Sequence, residues 1–250
     1  MTKQPAAGRS RAARAVVQKL ESYQRAGVTH VPRVPPPAAS ASPVDEPAEP
    51  AGQAGPSPSG DPRQAALDDV ARKVAACTRC AELVRSRTQT VFGVGNPQAR
   101  LVFCGEAPGQ DEDRQGTPFV GRAGQLLTDI IEKGMKLRRS DVYILNILRC
   151  RPPGNRNPLP VEAAACRGWL DAQLAIIRPE FICCLGAVAA QNLLQTTDSI
   201  GRLRGRVLDY QGIKVVCTYH PAYLLRTPSA KAACWEDIKL LMREMGTPRV

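Results

Sequence analysis

Short apolar runs alternate with helical patterns from residue 66 onward, and this alternation restricts the fold more than any other feature of the sequence. Four runs are nearly continuous in apolar residues, as expected of strands that are buried on both faces. They are LVFCG (101–105), VYILN (142–146), EFICCLG (180–186) and IKVVCTY (213–219). Because helical patterns separate them, the sequence predicts an α/β fold in which helices cover both faces of a parallel sheet.

Polar or glycine residues stand at the end of each predicted strand. The segment GEAPG begins where the first strand ends, Asn146 ends the second, Gly186 ends the third, and His220 follows the fourth. In parallel sheets of this kind, ligands bind beside the carboxyl ends of the strands. We therefore expect the functional site at this edge of the sheet.

The first 65 residues differ in composition from the rest of the chain. Residues 1–30 form a basic arm whose apolar residues are spaced as in one short amphipathic helix. Residues 31–65 are rich in Pro, Ala and Ser, and ten of the chain's 22 prolines lie between positions 32 and 62. Such a stretch cannot bury enough apolar surface to offset the cost of ordering, so we expect a disordered linker ahead of a folded domain at 66–250.

The chain carries a net charge of +11, and residues 66–250 alone hold 26 basic and 18 acidic side chains. This excess fits a polyanionic partner such as DNA, although many basic proteins bind nothing in particular. The first residues lack the apolar core of a signal peptide, and no apolar run reaches the roughly 20 residues of a membrane span. We expect a cytoplasmic protein with no membrane contact, associated with the nucleoid when it acts.

Nine cysteines in a cytoplasmic chain indicate core residues, metal ligands or reactive thiols rather than disulfides. Cysteines inside apolar strands or a helix are interpreted as small core residues. These are Cys104, Cys183, Cys184, Cys217 and Cys234. The other four are the C-x-x-C pair Cys77 and Cys80, then Cys150 and Cys166. Four thiolates suit zinc or an iron–sulfur cluster, and the uneven spacing favours a cluster, with independent structural cysteines as the alternative.

The segment GEAPGQDEDRQGTPFVG (105–121) places a glycine-rich loop beside the acids Glu106, Asp111, Glu112 and Asp113. Phosphate binding fits this loop poorly, because carboxylates repel phosphate and no Gly-Lys-Ser/Thr follows. Carboxylates suit a developing cation, an activated water or a divalent metal, and the alternative is a solvated acidic turn.

Two further residues near the strand ends have a structural and a functional interpretation. Phe119 lies between the glycines of the same loop and is either a core residue or a platform for a planar ligand. His220 is one of two histidines and is either a structural residue at a strand end or a functional group.

Three motifs in this order, GEAPGQDEDRQGTPFVGRAG, LNILRCRPPGNR and YHPAYLLR, resemble the family 4 uracil-DNA glycosylases, the iron–sulfur branch of that superfamily. The resemblance covers residues 66–246 approximately and includes the spacing of the four cysteines. It implies a three-layer α/β/α sandwich with a central four-stranded parallel sheet. It also implies a 4Fe-4S cluster, whose ligand positions match Cys77, Cys80, Cys150 and Cys166.

The resemblance implies an enzyme that flips uracil out of single- or double-stranded DNA and hydrolyses its N-glycosidic bond, leaving an abasic site for base excision repair, without lyase activity. In that reaction Phe119 would stack on the base. Asn146 would pair with uracil O4 and N3–H, and His220 would donate to O2 as the base leaves with negative charge.

The carboxylates of Glu106 and Glu112 are the candidates for stabilising the sugar cation or orienting the attacking water. The best-known uracil glycosylases have an aspartate where this chain has Ala107, and a thymine-excluding tyrosine where it has Gly109. Exclusion of the thymine methyl group therefore falls to another residue, for which Glu112 is a candidate.

DNA contacts are predicted in the segment after His220 and in GRLRGR (201–206). Leu225 would fill the gap that the base leaves, and Arg226 and Arg204 would bind phosphates. The alternatives are core packing for the leucine and a solvated hairpin for the arginines of GRLRGR.

Other functions fit parts of the pattern. A magnesium-dependent nuclease would use the acids of the 105–121 loop as ligands, but it leaves Asn146 and His220 unexplained. A uracil-DNA binding protein without turnover is a second alternative. One branch near family 4 captures uracil-DNA covalently through a histidine in an extra basic loop after the second strand, whereas this chain has CRPPGNRNP there, which favours turnover. A noncatalytic cluster-bearing protein that binds DNA without releasing the base is a third. We expect a monomer, and a protein partner bound through residues 1–30 is a further hypothesis.

Overall fold

The central layer of the domain is one six-stranded sheet, in a computed structural model that describes residues 61–246. Its strands are β1 (Val94–Gly95), β2 (Leu101–Gly105), β3 (Tyr143–Asn146), β4 (Phe181–Leu185), β5 (Val207–Tyr210) and β6 (Ile213–Thr218), in the spatial order β1-β3-β2-β4-β6-β5. The predicted arm at 1–30 with its helix, the predicted linker up to residue 60, and residues 247–250 lie outside the described residues.

Helices pack on both faces of the sheet, so the predicted three-layer α/β/α arrangement is confirmed. They are α1 (Pro62–Ala75), α2 (Ala81–Ser86), α3 (Gln110–Gln115), α4 (Arg122–Asp129), α5 (Pro160–Ile177), α6 (Ala187–Leu194), α7 (Ile200–Leu203), α8 (Pro221–Arg226) and α9 (Lys231–Glu244). A π-helical turn extends α4, and 3-10 turns lie at Arg139–Asp141, Pro153–Asn155 and Pro228–Ala230. In the described part of the chain, every helix is too short or too polar to cross a membrane.

The four central strands are parallel, as predicted, since β2 pairs with β3 and β4, and β4 pairs with β6. Two antiparallel edge strands that the sequence did not predict, β1 and β5, extend this central sheet. β1 has two residues and β5 is partly exposed, so neither forms a continuous apolar run. A two-residue turn at Gln211 and Gly212 joins β5 to β6, with φ values of 53° and 81° that are typical of hairpin turns.

The strand register brings the polar strand ends together. Gly105 at the end of β2 lies opposite Asn146 at the end of β3. Leu185 at the end of β4 lies opposite Thr218 at the end of β6, two residues before His220. All four central strands therefore end at the same edge of the sheet.

The side chains of the strands alternate between two apolar layers. Val102 and Cys104 pack with α1, α5 and α6, and Leu101 and Phe103 pack on the opposite face with α4 and α9. All five cysteines predicted to be core residues are buried, as expected. Burial raises the pKa of Cys104 to about 12, so this thiol stays neutral.

The folded domain begins earlier than predicted. Helix α1 starts at Pro62, and the side chain of Asp61 caps it by accepting a hydrogen bond from the amide of Arg63 (2.9 Å). The guanidinium of Arg63 donates to the carbonyl of Ile177 at the end of α5 (3.1 Å). The last four residues of the stretch assigned to the linker, 62–65, are therefore helical, and the proline at 62 starts a helix rather than continuing the linker.

We predict that Leu67→Ala lowers the free energy of unfolding by about 2–5 kcal/mol, because it leaves a cavity where α1 packs on the sheet. Urea denaturation measures the change. Arg72→Ala, at an exposed position of the same helix, is the matched control and should unfold like the wild type. Equal midpoints for Leu67→Ala and the wild type would show that α1 does not belong to the folded core.

Candidate active site

A cavity of about 420 Å³ opens at the carboxyl ends of the sheet. Its wall comes from the loop after β2, the turn before α4, the loop after β3 and the start of α8. Every predicted catalytic and uracil-binding residue lines it, together with one predicted DNA contact. These residues are Glu106, Ala107, Gly109, Glu112, Phe119, Asn146, His220 and Arg226.

The side chain of Asn146 contributes an unpaired acceptor to the cavity wall. Asn146 is 2% exposed, and its Oδ1 has no hydrogen-bond partner among residues 61–246. An unpaired buried acceptor costs free energy, so its place in a cavity wall indicates a ligand that donates to it. A Cβ at position 105 would lie 2.4 Å from this oxygen and 2.5 Å from the Phe119 ring, so only glycine fits there.

His220 is held as a neutral ring. Its Nδ1 accepts a hydrogen bond from the amide of Ala222 (3.1 Å) at the start of α8, so the proton of the neutral ring lies on Nε2. Burial, assisted by the nearby positive charge of Arg226, lowers the pKa of His220 to about 4. At neutral pH the imidazole is therefore an uncharged donor.

The ring of Phe119 forms a buried aromatic part of the same wall. Its centroid lies 5.7 Å from that of the His220 ring, and the two planes are tilted by 33°. An aromatic face beside an amide and an imidazole suits a planar heterocycle that is stacked and hydrogen-bonded at once.

Glu112 binds its own loop with both carboxylate oxygens. Oε1 accepts from the amides of Val120 (3.0 Å) and Gly121 (3.1 Å), and Oε2 accepts from the amide of Gly109 (3.1 Å). A Cβ at Gly109 would lie 2.7 Å from Oε2, so Glu112 occupies the space that a side chain at 109 would need. Glu112 thus shapes the cavity, and three amides already occupy the carboxylate that was a candidate for orienting water.

Glu106 differs from Glu112 because its carboxylate is free. It lines the cavity and makes no side-chain hydrogen bond within the described part of the chain. Burial raises the pKa of Glu106 above its ordinary value of 4.5. Of the two candidate carboxylates, Glu106 is the one available to water or to a cation.

The other two acids of the loop point elsewhere, which removes the ligand set of a magnesium nuclease. Asp111 pairs with Arg114 at the surface. Asp113 is buried and accepts from the amide of Thr88 with both oxygens (3.0 Å each). Of the four acids of the loop, only Glu106 and Glu112 lie in the cavity wall.

The predicted DNA contacts separate into two groups. Leu225 is 36% exposed and Arg226 is exposed at the cavity, whereas the neighbouring Leu224 is buried in the core. The predicted DNA contact Arg204 is bound to α9: its Nε donates to Asp237 (3.0 Å), and its Nη2 donates to the carbonyl of Ala233. The ion pair with Asp237 could not be predicted from the local GRLRGR pattern, because that carboxylate lies far along the chain.

The loop after β3 supplies wall residues to which the sequence pattern assigned no role. Pro152, Asn155 and Arg156 line the cavity. Arg156 also pairs with Glu162 (2.6 Å) and Glu82 (3.1 Å), which fixes this loop to the starts of α5 and α2. The motif RPPGNR was the available signal, because it belongs to the family resemblance.

The four cysteines predicted as ligands line a second cavity together with apolar and arginine side chains. They are Cys77, Cys80, Cys150 and Cys166. Nη1 of Arg87 donates to Sγ of Cys150 (2.9 Å), and its Nη2 donates to the carbonyl of Cys77 (2.9 Å). Burial, with the other thiols nearby, raises the pKa of Cys80. Four thiols that line one cavity beside a guanidinium donor are a donor set that fits an iron–sulfur cluster. Among residues 61–246, no group of three or more His, Cys, Asp or Glu side chains, these cysteines included, is already arranged around a metal position.

The model of the Uracil DNA glycosylase superfamily matches residues 92–239. This match includes the whole sheet and the cavity at its carboxyl ends. The chain belongs to this superfamily.

Individual relatives narrow the assignment. The type-4 uracil-DNA glycosylase of Archaeoglobus fulgidus is 45% identical over 181 residues, which is 69% of this chain and 90% of the relative. That of Thermotoga maritima is 47% identical over 169 residues, which is 67% of this chain and 87% of the relative. The type-5 uracil-DNA glycosylase of Thermus thermophilus is 32% identical over 150 residues, 48% of this chain and 68% of the relative. Within the superfamily the chain is thus a member of type 4, and the resemblance to family 4 is confirmed.

We predict that His220 makes the domain less stable in acid. Its pKa is about 4 when folded and 6.5 ordinarily, so between pH 6.5 and 4 the unfolded chain binds a proton that the folded chain does not. Stability is therefore lost as pH falls through this window, by about 3 kcal/mol in total. Urea denaturation from pH 4 to 7.5 measures it.

His220→Asn keeps an N-cap residue for α8 and removes the titrating group, so it is the matched variant. The difference in unfolding free energy between wild type and variant should change across this window and stay constant above pH 7. A constant difference throughout would contradict the lowered pKa.

Proposed function

We propose that the chain takes uracil out of DNA into the cavity at the sheet edge, hydrolyses its N-glycosidic bond and leaves an abasic site, as the first step of base excision repair. The observation that carries this proposal is the buried Oδ1 of Asn146, which has no partner in the described part of the chain and lies in a wall that also holds an aromatic ring and a neutral imidazole. A base must leave the stack to reach a pocket of this kind.

Asn146 distinguishes uracil from cytosine. Its Oδ1 accepts from N3–H of uracil, and its Nδ2 donates to O4. Cytosine presents an acceptor at N3 and a donor at C4, so it would leave both amide atoms unpaired in a buried wall. Unpaired buried polar groups give strong discrimination.

His220 assists departure of the base. The uracil ring takes up the electrons of the N-glycosidic bond, and negative charge develops on O2. A neutral Nε2–H donor stabilises that charge without transferring a proton, and its fixed position avoids reorganisation during the reaction. The hydrogen bond from Ala222 to Nδ1 supports this tautomer.

Glu106 acts on the sugar side of the bond. As C1′ loses the base it becomes cationic, and an ionised carboxylate stabilises this cation or orients the water that attacks it. Glu106 is preferred over Glu112 because its carboxylate oxygens bind no other side chain or amide among residues 61–246.

Glu112 limits the shape of the base. Its carboxylate is fixed by three amides beside Gly109, and it forms a polar wall that a thymine methyl group would have to approach. Ala107 and Gly109 leave room for the base without contributing a functional group.

Contacts to parts of the DNA other than the extruded base would hold the strand. Leu225 fills the space that the extruded base leaves, and Arg226 binds a neighbouring phosphate. Exposure of both side chains at the end of α8 supports these roles. The enzyme acts as a monomer on uracil-containing DNA and leaves the strand itself intact.

A 4Fe-4S cluster bound by Cys77, Cys80, Cys150 and Cys166 would have a structural role. These cysteines come from the segment between α1 and α2, from the loop after β3 and from α5. Bound to one cluster, they join these three segments and fix the loop that forms part of the uracil pocket. The chemistry of the glycosidic bond needs no step at this group.

We predict that Asn146→Ala lowers kcat/KM for uracil excision by about 100- to 1,000-fold, because one preorganised recognition group is lost. The assay uses an end-labelled oligonucleotide with one uracil, with chelator present, and examines it before and after alkali. The wild type should release uracil and give strand scission only after alkali. Asn192→Ala, which removes an amide on α6 outside this cavity, should behave like the wild type.

An intact strand after wild-type incubation and alkali would contradict the enzymatic function, and a denaturant-resistant protein–DNA band would indicate covalent capture. Scission before alkali would contradict the absence of lyase activity. Full activity of Asn146→Ala would remove the proposed basis of uracil selection.

We predict that the single-turnover rate falls in acid through a pKa above 4.5, because Glu106 must be ionised and burial raises its pKa. Glu106→Gln should lower the rate by about 100-fold and abolish this acid limb. Asp111→Asn, at the surface of the same loop, should keep both the rate and the limb. An unchanged acid limb in Glu106→Gln would assign the titration to another group.

A further inference from the structure

Phe119 has a backbone conformation that aromatic residues rarely adopt. Its φ is 56°, in the left-handed region, where a residue other than glycine remains only when its surroundings hold it. With this backbone, the buried ring forms part of the cavity wall beside His220. The orientation of the ring therefore depends on whatever fixes the turn.

Arg139 contacts this turn from the segment before β3. Its Nη2 donates to the carbonyl oxygens of Pro118 (2.9 Å) and Phe119 (3.1 Å), and its Nη1 donates to Oγ1 of Thr128 on α4 (2.9 Å). All three acceptors are uncharged, and two of them are carbonyls of the turn, so the guanidinium binds the backbone there. The nearby carboxylate of Glu132 accepts from the backbone amide of Arg139 (3.4 Å). Arg139 itself does not line the cavity.

The turn is bound from two sides. Glu112 accepts the amides that follow Phe119, and Arg139 binds the carbonyls at and before it. α4 also packs directly against the turn, because a Cβ at Gly124 would lie 1.9 Å from the carbonyl oxygen of Phe119. Among the described residues, only Arg139 donates a side-chain hydrogen bond to the carbonyl of Phe119. It does so from outside both the 105–121 loop and α4.

We propose that Arg139 is a positioning residue for base recognition, which fixes the backbone of Phe119 and so orients the ring that stacks on the extruded uracil. The inference rests on the proposed function of the cavity and adds to it a residue outside the cavity wall. In the sequence, Arg139 follows Arg138 in KLRRSD, and no local pattern distinguishes the role of one arginine from that of the other. In the structure, Arg138 is exposed and pairs with Asp141.

The experiment compares Arg139→Gln with Arg138→Gln in full-length protein of verified iron content and equal melting temperature. Free uracil serves as a competitive inhibitor that reports stacking in the pocket. A duplex with a tetrahydrofuran abasic site reports DNA binding without a base. Arg139→Gln should raise the Ki of uracil by about tenfold, the loss of one stacking contact, and lower kcat. Its affinity for the abasic duplex should stay unchanged, and Arg138→Gln should match the wild type in every measurement.

Two milder variants decide the matter if Arg139→Gln does not fold. Arg139→Lys keeps the charge but cannot reach both carbonyls and Thr128 with a planar fork, and Thr128→Val removes the hydroxyl that orients the guanidinium. Each should raise the Ki of uracil by a smaller factor in the same direction. A wild-type Ki in both would overturn the proposal.

The variant Phe119→Leu distinguishes the positioning role of Arg139 from the proposed stacking role of Phe119. If Phe119→Leu raises the Ki of uracil and the folded Arg139 variants do not, the positioning role of Arg139 is wrong and the stacking role stands. If Phe119→Leu has no effect, the stacking role is wrong and the inference falls with it. Equal losses of uracil and abasic-duplex affinity in Arg139→Gln would show a general structural role and overturn the proposal.

Discussion

The burial of polar groups in the cavity wall is the constraint on which the site depends. Burial leaves Oδ1 of Asn146 without a partner among the described residues, and it lowers the pKa of His220 to about 4. The same burial raises the pKa of Glu106. In water, each group would be solvated and would discriminate little, whereas in the wall they present a fixed amide, a neutral donor and one free carboxylate. One environment thus sets both the selectivity and the charge of the site.

Rigid elements hold most of these groups. Asn146 ends a buried strand whose register puts Gly105 beside it, and His220 caps α8 through its own ring nitrogen. The turn at Phe119 has no regular secondary structure of its own. α4 packs against it, and the opposite charges of Glu112 and Arg139 bind its amides and its carbonyls. Charged side chains therefore do for this turn what regular hydrogen bonding does for the strands.

The sequence predicted what continuous local patterns encode. Apolar runs identified the four parallel strands, and the polar residues where those strands end identified Asn146 and His220. The two edge strands were missed because they are short or partly exposed. The partners of Arg204 and Glu112, a buried carboxylate on α9 and the amides of a folded turn, could not be predicted, because these contacts exist only in three dimensions. Arg139 gave no signal at all, because a basic pair in a polar segment is typical of a solvated surface.

The central claim is that His220 is a neutral imidazole, fixed in one tautomer by a backbone amide, and that it donates a hydrogen bond to the departing base. Nitrogen-15 NMR of histidine-labelled protein, with His220 assigned by comparison with His220→Asn, measures this directly. We expect a neutral ring that is protonated on Nε2 from pH 8 down to about pH 5, consistent with its buried position. A doubly protonated ring at pH 6, or a neutral ring with its proton on Nδ1, would contradict the account.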